Sequence, residues 1–181
     1  MSGSPEPLQL VIEPGLICIV DASALLSLGR HVDREEQRHL LVRMTSLVRA
    51  GQLAFPRQVA ADLASRQCPG ALCAWITEAR KQVIYPEPSG ESLRKAGSVV
   101  QFTDPSAGNT GDASGHYVAA MALELSSRPH HRVIVATDDV VDRAPATESL
   151  ATACWRLGLD RWTGEQLTEW IRAFVWPSAS G

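Results

Sequence analysis

Five aspartates stand where an acidic side chain could act on a phosphate or hold a cation: Asp21, Asp62, Asp112, Asp138 and Asp139. Asp21 directly follows the apolar run Leu16-Ile17-Cys18-Ile19-Val20, and Asp138-Asp139 follow Val133-Ile134-Val135-Ala136-Thr137. Asp112 leaves the turn-rich stretch Thr103 to Gly111 at the start of a helical pattern, and Asp62 lies beside Val59 and Leu63. Carboxylates a few ångströms apart raise one another's pKa, so a cluster that stays ionised at neutral pH does so around a cation. All-oxygen ligation suits Mg2+ or Mn2+ rather than zinc. Each residue taken singly has a plainer role, Asp21 and Asp112 as helix N-caps, Asp138 and Asp139 as solvated turn residues, and Asp62 on the wet side of a helix. Convergence of these chain positions on one crevice is what favours chemistry.

The elements that must position them can be read from periodicity. Leu16 to Val20 is a continuous, β-branched apolar run that predicts a strand buried on both faces. Arg34 to Ala50 is predicted as a helix closed by Gly51, Leu53 to Phe55 as a short strand stopped by Pro56, and Pro56 as the first turn of a helix carrying Val59 and Leu63. Further helices are expected over 71–80, 91–102 and from Tyr117 to Leu125, with a strand over 132–137. Helical spacing returns at Leu150, Ala153, Cys154 and Leu157, followed by a strand over 159–162 and a helix opened by a Thr163/Gln166 capping box. Alternating strands and helices predict an α/β fold, a three-layer α/β/α arrangement around a mainly parallel sheet. Residues 1–15 read as a tail and lead-in, 16–175 as a single domain and 176–181 as a C-terminal tail. In such a sheet ligands bind beyond the carboxyl ends of the strands, where strand order reverses. The two long apolar runs are expected to be central and adjacent, with Asp21, Thr137, Asp138 and Asp139 facing one crevice.

Composition narrows the function classes. With 17 basic against 20 acidic residues and a net charge of −3, bulk charge does not recommend a nucleic-acid scaffold. A local basic groove would be built from arginine, because the only lysines are Lys81 and Lys95. The four cysteines have no C-x-x-C spacing, the apolar runs are too short to span a bilayer, and Met1-Ser2-Gly3-Ser4-Pro5 does not open like a signal peptide. The expectation is a cytoplasmic protein with reduced thiols and no membrane partner.

The same residues carry a family resemblance. Ile19-Val20-Asp21-Ala22-Ser23-Ala24-Leu25-Leu26 resembles the opening V-D-x-S-A-L-L strand of PIN domains, and Pro56 to Leu63 resembles their P-x-x-V-x-x-acid-L segment. Gly111-Asp112-Ala113 with the following helix is similar to the third motif, and Val135-Ala136-Thr137-Asp138-Asp139 to the fourth, V-x-T-x-D. Ala71 to Ile76 resembles a subgroup with an L-x-x-W helix. The resemblance implies a VapC-type endonuclease for single-stranded RNA that depends on Mg2+ or Mn2+, is a homodimer and is neutralised by a cognate antitoxin. Carried over position by position, Asp21, Asp62, Asp112 and Asp139 are the catalytic acids, with Asp21, Asp112, Asp139 and Asp138 as metal ligands and Ser23 and Thr137 as hydroxyl supports. Asp62 stands where the family has Glu, which shortens its reach, and the doublet leaves the fourth acid open between Asp138 and Asp139.

Other features have readings of their own. His116 could share a helix face with Asp112 in an outer-shell role, although packing is its commoner use. His130-His131 reads as a solvent loop, and Gly111 to Gly115 falls one position short of G-x-S-x-G. Trp170 with Leu167, Ile171 and Phe174 forms a stripe suited to dimerisation or antitoxin packing, while Trp75, Trp155, Trp162 and Trp176 have core, interface or base-stacking readings. Arg34, Arg38, Arg128, Arg132 and Arg143 are candidate phosphate contacts. Two rivals are a catalytically silent PIN-like binding module and a phosphoacceptor receiver domain. The second lacks the lysine it needs near its last strand.

Overall fold

The computed structural model describes residues 15–28, 30, 32–66, 68–102, 114–143 and 147–174. Asp112 and the loop that leads to it, both chain ends and Trp176 lie outside these residues. The continuous apolar run forms strand β1 (Leu16–Val20), with all five residues buried. It pairs in parallel with β2 (Leu53–Ala54) on one side and β3 (Arg132–Ala136) on the other, and β4 (Asp160–Trp162) adds outside β3. The order β2-β1-β3-β4 makes an all-parallel sheet of four strands.

The register aligns the carboxyl ends: Val20 opposes Ala136, and Ala136 opposes Trp162. The ladder continues one step further, with the Asp21 amide donating to Ala136 and the Thr137 amide to Trp162, each at 3.0 Å. The chain moves from β1 outward to β2, then returns to β3 and outward again to β4. Strand order therefore reverses between β1 and β3, directly below Asp21 and Thr137.

Helices cover the sheet in two layers. Helix α6 (Ser114–Ser126) packs on β1 and β3, flanked by α5 (Gly90–Val99) and α7 (Leu150–Leu157). Helices α1 (Ala22–Leu28), α2 (Arg34–Arg49) and α8 (Gly164–Ala173) pack together as the other layer. Helix α3 (Arg57–Ser65) touches α1, α6 and α4 (Gly70–Ala79), so it bridges the layers beside the sheet. None of the described helices is long and apolar enough to cross a membrane.

The helix boundaries follow local chemistry. Asp33 accepts the Glu35 and Glu36 amides at 2.9 and 2.8 Å to open α2, and the Thr163/Gln166 capping box opens α8. Gly51 and Gly158 close α2 and α7 with φ of +71° and +66°. Pro56 is the N-cap of α3 rather than part of its first turn, and the Glu87 carboxylate accepts the Arg57 amide at 3.0 Å, the cap that proline cannot supply. Helix α5 stops at Val99, short of the 91–102 expected from spacing, because Val100 turns extended and carries Phe102 onto the ring of His116, with centroids 5.0 Å apart.

The Trp170 stripe is corrected in its destination. Leu167 and Ile171 are fully buried and Phe174 nearly so, while Trp170 lies half-buried against Trp162 at 5.5 Å. This face of α8 packs into the core. Among the described residues the most exposed tryptophan is Trp155, at 82%.

Candidate active site

Asp21 sits at the carboxyl end of β1, only 5% exposed, with its carboxylate inside a frame of donors. Its Oδ2 accepts from the Ser23 hydroxyl at 2.6 Å and the Thr137 hydroxyl at 2.9 Å, and its Oδ1 accepts from the Ala22 amide at 2.6 Å. Each hydroxyl has one proton to give, and each in turn receives a backbone amide: Asp138 N–H on Ser23 at 2.9 Å and Asp139 N–H on Thr137 at 3.0 Å. Ser23 and Thr137, on different elements, thus lock the start of α1 to the chain leaving β3. Burial pushes the Asp21 carboxyl above the usual carboxylate range, the hydrogen bonds work the other way, and the Asp139 charge adds to the rise.

The consecutive aspartates after β3 part company. Asp138 points toward α1 and α8, where its carboxylate accepts from the Ser27 hydroxyl and from the Gly164 amide at 2.8 Å. It joins the last turn of α1 to the start of α8 and is not among the residues lining the cleft. Asp139 faces the opposite way, with Oδ2 accepting the Leu150 amide at the start of α7 at 2.9 Å and Oδ1 lying 3.6 Å from the Arg143 guanidinium. Asp139 is thus the member of the doublet that shares a space with Asp21.

That space is a cleft of roughly 400 Å3 above the sheet's carboxyl edge, lined among others by Asp21, Asp62, Asp139, Gln58, Arg66 and Arg143. Asp62 reaches it from α3, with Oδ1 on Arg66 Nε at 2.7 Å and Oδ2 accepting the Ser114 hydroxyl at 2.8 Å. Ser114 thereby braces the Asp62 carboxylate from α6. Glu148 also borders the cleft but pairs with Arg156 at 2.6 Å. His116 has the packing role: its Nε2 meets the Leu93 carbonyl at 2.7 Å and its ring stacks on Phe102.

Arg66 and Gln58 escaped notice in the sequence. Gln58 and Asp62 on α3 and Arg66 at its C-cap recur every four residues, beside the stripe of buried Val59 and Leu63, so one helical edge presents all three to the cleft. The hydrogen bond to Asp62 holds the Arg66 guanidinium more firmly protonated, burial opposes this, and the fields of Asp62, Asp21 and Asp139 reinforce it. Of the five arginines marked from sequence, Arg143 is the one that lines this cleft.

The donor set fits a hard divalent cation in chemistry. Among the described residues Gln58 Oε1 is buried with no hydrogen-bond partner, Asp21 Oδ1 meets one amide, and Asp139 Oδ1 meets only the distant Arg143. All three atoms are oxygens with unfilled acceptor capacity at one cleft. Among the same residues no three His, Cys, Asp or Glu side chains are close enough together to hold a metal ion, and Asp112 lies outside them.

The chain matches no family model, no curated protein and no solved structure.

Proposed function

We propose that the protein is a PIN-like endonuclease for single-stranded RNA that works with Mg2+ or Mn2+. The observation that carries this reading is the buried Asp21 carboxylate, framed by Ser23 and Thr137 at the point where strand order reverses and sharing a cleft with Asp139 and Asp62. A carboxylate buried against its own desolvation cost, in a cleft, supports a functional role for the site.

Asp21, Asp139 and Gln58 would hold the cation, with Asp112 joining them as the motif implies. When bound, such an ion lowers the pKa of a water and offsets charge on phosphoryl oxygens. Ser23 and Thr137 fix the Asp21 carboxylate in one orientation and leave Oδ1 with only the Ala22 amide as donor. Arg143 and Arg66 supply guanidinium donors to non-bridging phosphate oxygens. The resemblance adds a homodimer, a cognate antitoxin and a cytoplasmic setting to this reading.

A second reading, a silent PIN-like binding module, draws on one observation. Asp62 has both oxygens engaged, by Arg66 and Ser114, so a protein cation already stands beside one of the expected acids. Calorimetry separates the two. Titration with Mn2+ should give saturable binding that Asp21→Asn and Asp139→Asn each weaken tenfold or more, and Asp138→Asn should leave it within threefold. Absence of saturable binding in the unmodified protein would overturn the catalytic reading in favour of the module.

A further inference from the structure

Cys68 and Cys73 flank the start of α4. Pro69 is its N-cap, so Cys68 stands one residue before the cap, and Cys73 occupies the fourth helical position with its amide donating to the Pro69 carbonyl at 3.0 Å. Side chains at these two positions meet across a helix start, the arrangement in which apolar residues form a hydrophobic staple. Here both are thiols. Cys68 packs against the edge of the core, both residues are partly accessible, and the Cys68 thiol donates to the Pro69 carbonyl at 3.4 Å, the same carbonyl that accepts the Cys73 amide. Cys18 and Cys154 are instead buried to within 1% in β1 and α7.

We infer that Cys68 and Cys73 are a dithiol modification site, oxidised by a low-molecular-weight disulfide such as glutathione disulfide to an intrachain bond across the start of α4. The Cys73 thiolate attacks one sulfur of the disulfide, forming a mixed disulfide and releasing one thiol. Cys68, having lost its proton to solvent, then attacks Cys73 Sγ and releases the second. The protein loses two hydrogens and two electrons, and the oxidant becomes two thiols. Burial, and next the Cys73 thiol, push Cys68 up to about 12, so its attack waits on loss of its proton. Cys68 lies in the connection between α3 and α4, outside both helices, so closing the bond moves a loop residue and leaves the helices in place. An intracellular disulfide of this kind is characteristically transient and redox-responsive. The inference is independent of what the cleft does.

The test is peptide mapping of the full chain equilibrated in glutathione buffers. Trypsin cuts after Arg66 and Arg80, giving one peptide over 67–80 that contains these two cysteines and no others. The expected result is that this peptide loses two hydrogens in the folded protein, with an equilibrium at least tenfold more favourable than in the urea-unfolded chain, while Cys18 and Cys154 stay reduced. Cys73→Ser should abolish the lighter peptide. Equal or poorer closure in the folded state, or glutathione adducts on both cysteines without an intrachain bond, would overturn the proposal.

Discussion

Asp21→Asn should stabilise the protein and, under the proposed function, abolish cleavage of RNA. The carboxylate is 5% exposed, and its pKa is raised above the ordinary range chiefly by burial, so the folded state holds the Asp21 proton more tightly than the unfolded chain does. The sign follows from linkage: as pH rises from the ordinary carboxylate range through the higher folded value, the native state gives up a proton the unfolded chain has already lost, and stability falls. Above that window the cost of the buried charge is fully present, and asparagine removes it. Each 1 kcal/mol relieved raises the melting temperature of a chain this size by about 2–4 °C. Measured in EDTA, the variant should melt above the parent at neutral pH, and the difference should shrink toward zero in acid. Glu124 and Asp142 shift the other way, held down first by the Ser89 and Ser149 amides respectively. Their stabilising contributions are lost as pH falls through their lowered values. They are the same in both proteins, so the difference between the two curves isolates Asp21. A variant less stable than the parent at neutral pH would mean that the donors around Asp21 outweigh its desolvation, and that the site stores no cost. Cleavage should fall a hundredfold or more, the scale on which an active-site electrostatic group acts.

Gly164→Ala is the second large effect, and its sign runs against sequence intuition. A glycine in the first turn of a helix ordinarily gains up to about 1 kcal/mol on replacement by alanine. Here the added Cβ would meet Asp138 Oδ2 at 2.5 Å, Ser27 Cβ at 2.8 Å and the Ala24 carbonyl at 3.3 Å. Ser27 and Ala24 belong to α1 and cannot retreat without moving the helix that follows Asp21. The clash also dislodges the Asp138 carboxylate from the Gly164 amide. Overpacking of this kind costs about 1–3 kcal/mol, so the steric term wins and a net loss is expected by denaturant titration. An unchanged or higher stability would show that α1 and α8 are not held together through Asp138.

Much of this arrangement was legible in the residues. Two unbroken β-branched runs ending in Asp21 and in Thr137-Asp138-Asp139 identify central parallel strands, because only strands buried on both faces tolerate such runs. Thr163 and Gln166 announced the start of α8 through a local rule that tertiary packing does not override. The doublet was not divisible in the same way. Beyond the last ladder bond of β3 no periodicity assigns a side, and only the Ser27 hydroxyl and the Gly164 amide on one side, with the Leu150 amide on the other, send Asp138 and Asp139 apart. Gln58 and Arg66 carried a readable signal, four residues on either side of Asp62. It resembled any wet helix face until α6 brought Ser114 up to that face. The Trp170 stripe shows the converse limit, since an amphipathic pattern says that a face is covered and not by what.

The most direct test of the central claim is cleavage of a mixed single-stranded RNA pool by highly purified protein in Mn2+ or Mg2+, compared with the same reaction in EDTA and with Asp21→Asn. Cutting that requires the divalent ion and is lost in the variant is the predicted result. Cutting that persists unchanged in Asp21→Asn, or no cutting by the unmodified protein in either metal, would contradict a phosphodiesterase centred on Asp21.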